Sequence, residues 1–413
     1  MKTDARRLLT IVGAVAALVL LTPASGSGRT ADEGGKFQLE STIAFTSTRD
    51  HVSDVPALTP AFLGAEIYLA SPDFVDSDPK KWSLTNFRRL TDNDSADGFA
   101  SLSPDGKKIV FDSTRLTGCP TCPYPGSVNH SDLFVMDADG TDQMLLRPAS
   151  SSATWSPDTP ALRGRWIAFH ASASGSGAPL RTDPGSATSD SDIFVANVDD
   201  LLEGVDTATN ITGSWTVRVN DDGTRMRLKI ADDPDWSPDG EHIAFTAHDV
   251  GDEGPNWPLP PFRSNTAEIF VIAADGSGTP QRLTQNFEEE RGPAWSPDGN
   301  RIAFACRAGT GNAEICVMNA DGSHVQQLTK NTVPDLTPTW SLDGQQLVFH
   351  RAVVFTVGGV QRRAQELHVL NMPTDPAVCD YDTAPCDLPA QPLTAPPAVS
   401  NLANWGEVRV KVP

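Results

Sequence analysis

One short module recurs along most of this chain and constrains its fold more than any other feature. The clearest copy, residues 293–329, reads PAWSPDGNRIAFACRAGTGNAEICVMNADGSHVQQLT. Its Ser-Pro-Asp-Gly segment suits a tight turn, because Pro fixes φ, Asp tolerates the bridge region and Gly takes the left-handed exit. Segments of strand length, rich in β-branched and aromatic residues, surround this turn. Four short antiparallel strands in a repeat of roughly 40–45 residues are typical of a propeller blade.

The second strand of the module occurs six times along the chain. Its copies are Ile43–Phe45, Ile109–Phe111, Ile167–Phe169, Ile243–Phe245, Ile302–Phe304 and Leu347–Phe349. The first strand occurs in order only five times, at Leu102, Trp155, Trp236, Trp295 and Trp340. Its sixth copy, Ala403-Asn404-Trp405-Gly406, lies at the other end of the chain. We predict that this C-terminal strand completes the first blade, because closing the ring removes an open sheet edge.

The predicted fold class is therefore all-β, a six-bladed propeller of four-stranded antiparallel blades. A single domain is predicted over residues 40–413, after a flexible segment at 27–39. The predicted blades are 40–91 with 400–410, 98–148, 152–231, 233–285, 291–330 and 336–395.

The Trp-Ser-Pro-Asp-Gly, Ile-Ala-Phe and Ala-Asp-Gly elements, repeated at this spacing, resemble the WD40-like repeats of the TolB C-terminal propeller. The resemblance covers roughly residues 40–410. It is specific for fold and weaker for function. TolB carries a separate α/β domain before its propeller, for which this sequence has no room. The resemblance therefore implies the propeller and leaves a role in the Tol–Pal envelope system open.

The N-terminal residues predict export. Lys2, Arg6 and Arg7 precede an uncharged apolar run at residues 8–21, and small residues follow it. This is the order of a secretory signal, and the run is shorter than the ~20 residues of a membrane span. Cleavage after Ala24 or Gly26 is expected, with no stable membrane insertion afterwards.

The charge of the chain excludes two classes of partner. Loss of residues 1–26, which include Asp4, takes the formal net charge from −21 to −23. Such a charge argues against binding of nucleic acid and of anionic lipid, and it suits a basic partner or a divalent cation. We expect a monomer that is periplasmic or secreted.

Six cysteines fall into three close pairs, Cys119 with Cys122, Cys306 with Cys316, and Cys379 with Cys386. An even number, local spacing and an oxidising compartment predict three disulfides. A four-thiolate zinc site would need a second C-x-x-C motif, and the sequence has none.

Two features predict a binding surface where the links between blades lie. Five of the six loops between second and third strands are long, at 49–65, 113–131, 171–191, 247–267 and 351–365. One of them carries Trp257, Leu259 and Phe262 on a Pro-stiffened segment, which could anchor a partner or fold back onto its own blade.

Acids precede the innermost strands and should gather at the mouth of the axial channel. They are Asp92, Asp94, Asp97, Asp232, Asp233, Asp235, Glu288, Glu289, Glu290 and Asp335. These carboxylates could hold Ca²⁺ or attract a basic segment of a partner, and the strongest candidates are Asp232, Asp233 and Asp235. The alternative is that they are solvated surface acids without a ligand. If Ca²⁺ there stabilises the ring, a chelator lowers the melting temperature.

No nucleophile elbow, zinc-protease motif or phosphate-binding glycine loop is present, so the sequence favours a binding protein over an enzyme. His170, His350 and Asp112 each follow the second-strand Phe, and we interpret them as polar strand ends. Acids also open the third strands, at Glu66, Asp132, Asp192, Glu268, Glu314 and Glu366, and we interpret them as pairing with second-strand arginines such as Arg115. The leading hypothesis is an exported scaffold that binds a protein or peptide. The alternative is a propeller hydrolase or lyase acting on a glycan or peptide.

Overall fold

The computed structural model describes residues 37–48, 65–74, 78–116, 131–172, 191–213, 216–218, 225–250, 267–285, 289–307, 311–357, 359–373, 385–395 and 400–411. Regular structure in these ranges is almost entirely β-strand. The helical elements are α1 (Val198–Leu202) and a 3₁₀ turn at Pro79–Lys81. Within the described residues no helix is long and apolar enough to span a membrane.

The strands form six four-stranded antiparallel blades, each of which runs from an innermost strand at the axis to an outermost strand at the rim. In that order, blade 1 is β25 (Ser400–Lys411), β1 (Phe37–Ser47), β2 (Glu66–Asp73) and β3 (Ser83–Arg89). Blade 2 is β4 (Asp97–Leu102), β5 (Lys108–Ser113), β6 (Asp132–Asp137) and β7 (Met144–Arg147). Blade 3 is β8 (Ser150–Trp155), β9 (Trp166–Ser172), β10 (Ser191–Asn197) and β11 (Thr209–Asn210).

The second half of the ring repeats this plan. Blade 4 is β13 (Arg225–Trp236), β14 (His242–Val250), β15 (Ala267–Ala273) and β16 (Gln281–Arg282), and β12 (Thr216–Arg218) also pairs with β13. Blade 5 is β17 (Arg291–Trp295), β18 (Arg301–Arg307), β19 (Ala313–Asn319) and β20 (Gln326–Gln327). Blade 6 is β21 (Asp335–Trp340), β22 (Gln346–Val357), β23 (Val360–Asn371) and β24 (Gln391–Pro392). A single parallel bridge, Ser191 to Ile230, joins blades 3 and 4.

The Ser-Pro-Asp-Gly segments form the predicted tight turns between first and second strands. In blade 5 the Ser296 hydroxyl donates to Asp298 at 2.6 Å, and the Gly299 amide donates to the Ser296 carbonyl at 2.9 Å. Gly299 has φ +73°, and a Cβ there would lie 3.3 Å from Pro238 in the turn of blade 4. The turns of blades 3 to 6 thus each contact the turn of the preceding blade, which favours Gly and Pro at these positions.

The hydrophobic core lies between neighbouring blades. The second-strand Phe of every blade has no more than 1% of its surface exposed: Phe45, Phe111, Phe169, Phe245, Phe304 and Phe349. One cluster joins Ala303 and Val317 of blade 5 to Trp340 and Phe349 of blade 6. No blade buries both of its faces alone, so the six depend on each other for burial of apolar area.

The C-terminal strand closes the ring as the sequence predicts. β25 pairs with β1 from Phe37↔Lys411 to Ser47↔Ser400, with Trp405 opposite Ile43. The Trp405 indole donates to the Ser41 hydroxyl at 2.8 Å and meets the Phe74 ring edge-on at 5.5 Å. The two ends of the described chain therefore meet in blade 1.

The acids that open the third strands are buried. The predicted pairing with a second-strand arginine fits blade 6, where Arg351 lies opposite Glu366. In four other blades a threonine binds the acid. Thr329, after β20, donates its hydroxyl to Glu314 at 2.8 Å and accepts the Ile315 amide at 2.9 Å. Equivalent threonine–acid pairs are Thr91 with Glu66, Thr212 with Asp192, and Thr284 with Glu268. We call this contact the acid–threonine latch; it ties the outermost strand to the third strand.

One predicted loop is regular structure instead. Residues 351–365 extend β22 and β23 into a hairpin that pairs as far as Val357↔Val360. The segment is rich in β-branched residues and turns at Gly359, which has φ +79°. β propensity therefore continues the blade where a loop was expected.

One predicted disulfide is present, Cys306–Cys316, which joins β18 to β19 across a Cα separation of 5.8 Å. Cys386 is also disulfide-bonded. Cys119, Cys122 and Cys379 lie outside the described residues, as does the signal segment at 1–26, so those predictions stay predictions.

The ring closure predicts a stability difference between two aromatic residues. Trp405→Ala removes the contacts with Ser41 and Phe74 at the closing strand and should lower the free energy of unfolding by about 2 kcal/mol. Phe87→Ala, at a side chain 45% exposed on β3, is the matched control and should cost less than about 1 kcal/mol. Urea titration measures both, and equal losses would contradict a special role of β25.

The acid–threonine latch predicts a second difference. Thr329→Val removes one donor from the buried Glu314 carboxylate and should cost about 1–3 kcal/mol. Thr141→Val removes a similar hydroxyl–carboxylate contact, to Asp139, at an exposed turn and should change stability by less than about 0.5 kcal/mol. Thermal unfolding in parallel distinguishes them, and a neutral Thr329→Val would show that the latch is dispensable.

Candidate functional site

A backbone bulge recurs in the innermost strand of each blade. Three residues before its aromatic or leucine position, each of five blades has a residue with positive φ: Phe99 (51°), Ser152 (53°), Asp233 (49°), Gly292 (59°) and Thr337 (47°). The pairing register shifts at this point in all five, and also in blade 1. Bulges re-aim the side chains of a strand. In this protein they form a ring of side chains around the axis, which we call the bulge ring.

The bulge ring lines an axial cavity of about 310 Å³ to which all six blades contribute. Pro234, Pro293 and Pro338 follow bulge residues in three blades and form part of its wall. Pro297 and Leu342, on the tight turns of blades 5 and 6, also line it. The cavity thus extends toward the tight-turn face of the ring, opposite the face that the sequence predicted for binding.

Asp233 and Asp235 of β13 both line this cavity. The Asp235 carboxylate accepts the Trp295 amide at 2.7 Å and the Thr154 hydroxyl at 3.4 Å, so it bridges blades 3, 4 and 5. Burial raises the pKa of Asp235 to about 7 in spite of these bonds. Burial and the neighbouring Asp232 raise the pKa of Asp233 to about 7, against the pull of Arg291.

A second polar layer lies directly behind the bulge ring, at the residue after the second-strand Phe in five blades; in blade 5 this residue is Ala305. Asp112 accepts the Ser152 amide at 3.0 Å and the Ser151 hydroxyl, and burial raises its pKa to about 8. In blade 4 the Thr246 hydroxyl accepts the Gly292 amide at 3.1 Å. These side chains therefore support the bulge of the next blade.

His350 belongs to this second layer. Its Nδ1 lies 2.6 Å from the Thr337 hydroxyl of its own blade, and burial lowers its pKa to about 4. His170 occupies the same position in blade 3 and is likewise buried. Both histidines are structural neighbours of the bulge ring, in line with the sequence interpretation of polar strand ends.

Several of the other acids predicted at the mouth are bound to arginine. Arg115 donates to Asp97 at 2.9 Å, and Arg351 binds Asp335 through two bonds of 2.7 Å. The second-strand arginines thus pair with first-strand acids. In the same way Arg307 pairs with Glu289 at 3.0 Å.

The remaining predicted residues differ in their burial and in their position relative to the cavity. Asp232 is half-buried beside the cavity without lining it, and Glu290 is fully buried. Asp92 and Asp94 are exposed, and Asp92 forms an ion pair with Arg89. The structure does not describe Trp257, Leu259, Phe262 or Glu288, nor most of the long loops at 49–65, 113–131, 171–191 and 247–267.

The described residues do not bring Asp232, Asp233 and Asp235 together as a set of three metal ligands. Among these residues the one group of three whose ligand atoms all lie within 4.8 Å of one another is Asp239, Glu241 and His242, on the exposed turn of blade 4. Neither His170 nor His350 joins a carboxylate in such a group.

Sequence reasoning missed the wall of the cavity and one of its rim residues. The tryptophans that end the innermost strands mark the repeat in the sequence, whereas no pattern marks the prolines after the bulges. Leu342 interrupts the Ser-Pro-Asp-Gly pattern as Ser-Leu-Asp-Gly and is 45% exposed. That departure was the signal that could have located the rim.

Comparison with known proteins agrees with this fold. Residues 233–353 match the family model of the TolB β-propeller domain. The fold is similar to TolB from Acinetobacter baumannii, with TM-score 0.51, 14% identity and coverage of 88% of this chain and 66% of that one. It is also similar to a TolB candidate from Agrobacterium tumefaciens, with TM-score 0.50, 15% identity and coverage of 91% and 99%. The chain is a six-bladed propeller with a fold similar to that of TolB.

Two curated relatives are similar over parts of the sequence. An uncharacterized protein of Agrobacterium fabrum is 27% identical over 179 residues, 42% of this chain and 56% of that protein. The uncharacterized peptidase YuxL of Bacillus subtilis is 31% identical over 85 residues, 21% of this chain and 11% of the peptidase. The chain thus spans little more than half of the first relative and a small part of the second.

The raised carboxyl pKa values predict that stability falls as the pH rises from 6.5 to 8.5. The folded chain holds protons on Asp112, Asp233 and Asp235 that the unfolded chain, with ordinary carboxyl pKa values, has already released. Losing these protons therefore costs folded stability in this window. The lowered pKa of His350 affects stability only below its unfolded value of about 6.5, so it does not contribute between pH 6.5 and 8.5.

Melting temperatures at pH 6.5 and 8.5 measure this effect. Asp112→Asn should reduce the drop between the two values, because it removes the group with the highest of these pKa values. Asp139→Asn, at an exposed turn where hydrogen bonds with Thr141 lower the pKa, should leave the drop unchanged. A drop that is the same in both variants would contradict the assignment to Asp112.

Proposed function

We propose that this chain is an exported propeller that binds a protein or peptide partner, and that the axial cavity is its binding site. The observation that carries this proposal is the bulge ring, which turns side chains of all the innermost strands toward one cavity on a rigid scaffold. At about 310 Å³ the cavity lies at the small end of ligand pockets. It suits a short segment of a partner.

The chemistry of the cavity supports a partner with a positively charged group. Its wall is built from proline and tryptophan, which supply rigid apolar contact at little cost in entropy. Asp233 and Asp235 place two carboxyl groups among them. The formal charge of the chain, −21 with the signal segment included, would also draw a basic partner toward the surface.

The predicted signal segment supports a periplasmic or secreted location. The long-loop face, with Trp257, Leu259 and Phe262, stays a predicted second contact surface. The hydrolase or lyase alternative would need at least two histidines and a carboxylate within ligand distance. Among the described residues the one group of three close ligands has a single histidine and lies on an exposed turn: Asp239, Glu241 and His242.

Two glycine variants test the site. Gly292→Asn would project a side chain into the cavity, where a Cβ meets only Thr337, at 3.8 Å, and asparagine tolerates the positive φ. We expect it to weaken binding of the partner by about tenfold or more. Gly278→Asn is the matched control, since Gly278 also has positive φ and open space but lies outside the cavity.

A random hexapeptide library, screened against the purified protein and then titrated by calorimetry, supplies the ligand. Selected peptides should bind the Gly278→Asn variant as they bind the unaltered protein. If Gly292→Asn binds them equally well, the axial cavity is not the site. If no peptide binds at about 1 mM, the proposed function is wrong.

A further inference from the structure

The axial cavity has two walls of different chemistry. Blades 3 to 5 contribute Ser152, Asp233, Asp235, Trp236 and Trp295, a wall with carboxyl groups and hydrogen-bond donors. The opposite wall, from blades 6, 1 and 2, has no carboxyl group. It combines apolar residues, among them Leu342, Trp405 and Phe99, with hydroxyl and amide side chains such as Thr337 and Asn404.

The tryptophans that end the innermost strands differ in one contact. The Trp155 and Trp340 indoles each donate at 3.0 Å to a carbonyl of the preceding blade, that of Ser101 and of Ala294. The indole N–H groups of Trp236 and Trp295 have no acceptor among the described residues, although both atoms are buried. Trp236 follows Asp235 directly on β13, and the backbone amide of Trp295 donates to the Asp235 carboxylate.

A third donor in the same wall is also without an acceptor. The Ser152 hydroxyl has no partner among the described residues, and Ser152 is only 8% exposed. Trp236 is 6% exposed. A buried donor without an acceptor destabilises the folded protein. The three donors belong to residues that line the cavity beside two carboxyl groups, and a ligand that brings oxygen acceptors together with a positive charge would satisfy both.

We propose that the cavity recognises the free N-terminus of a partner polypeptide, an inference that rests on the proposed function. The α-ammonium group lies at Asp233, and the first carbonyl oxygens accept from Trp236, Trp295 and Ser152. The first side chain packs on Leu342 and Trp405 in the opposite wall. The carboxyl group, the hydrogen-bond donors and the apolar residues of the cavity then all contact the same ligand.

Other cationic ligands use only part of this site. A lysine side chain inside a partner sequence carries its ammonium group at the end of a four-carbon stem, so its backbone carbonyls stay far from the charge. An arginine side chain has five donors and no acceptor, and would leave the indole donors unpaired. A chain end is the peptide group in which a cation and carbonyl oxygens lie within one residue.

Two hexapeptide libraries of the same random composition test the inference, one with free N-termini and one acetylated. Acetylation removes the positive charge and keeps the carbonyl oxygens. We expect the free peptides to bind the intact protein about tenfold or more tightly, measured by calorimetry and by the fluorescence of the cavity tryptophans. Equal binding of both libraries overturns the inference while the proposed function stands. Binding of neither at about 1 mM overturns both.

A pair of variants tests whether the α-ammonium group binds at Asp233. Asp233→Asn removes the charge and keeps a residue that tolerates φ 49°, so the fold is expected to be retained, which the melting temperature checks. It should abolish the preference for free N-termini. Asp239→Asn, on the exposed turn of the same blade, should leave the preference intact. A preference that survives Asp233→Asn in a folded protein contradicts the inference.

Discussion

The antiparallel pairing of β1 with β25 is the contact on which the rest of this structure depends. Every blade buries its apolar faces only against the blades on either side, so an open ring would leave one face of blade 1 and one of blade 6 in water. The cluster that crosses this junction contains Ile43 and Phe45 of blade 1 with Val348 and Leu367 of blade 6. Because the closing strand comes from the far end of the chain, the axial cavity is complete only when the whole ring has formed.

The repeat explains why so much of this fold can be predicted from the sequence. Ser-Pro-Asp-Gly specifies a turn through local chemistry, and the sixth copy of the first strand, at Trp405, requires a strand that returns to the first blade. The acid–threonine latch was harder to assign. The clear copies of the module each show an acid and a later threonine, as at Glu314 and Thr329, yet which partner a buried acid takes depends on the strand between them. Register, rather than residue type, decided between Thr329 and an arginine.

The candidate site was predicted only in part, for a related reason. Asp233 and Asp235 were singled out as acids near the axis, and they do line the cavity. Their face was assigned wrongly, since a bulge changes where side chains point and no residue type marks this bulge. Phe, Ser, Asp, Gly and Thr all occupy it. Asp97 and Asp335 looked equivalent to Asp233 in the sequence, but each is held by an arginine that follows in the next strand.

The bulge ring separates the backbone conformation of a position from the identity of its side chain, two properties that are usually linked in proteins. At each of its positions the backbone shape is imposed by pairing with the neighbouring strand and by hydrogen bonds such as those of Asp112 and Thr246. The fold therefore does not require a particular side chain at this position, which is why residues as unlike as Phe99 and Gly292 share it. A propeller of this kind can exchange the lining of its axis one blade at a time while its architecture stays constant. New specificities then arise from single substitutions, without any insertion or change of loop length.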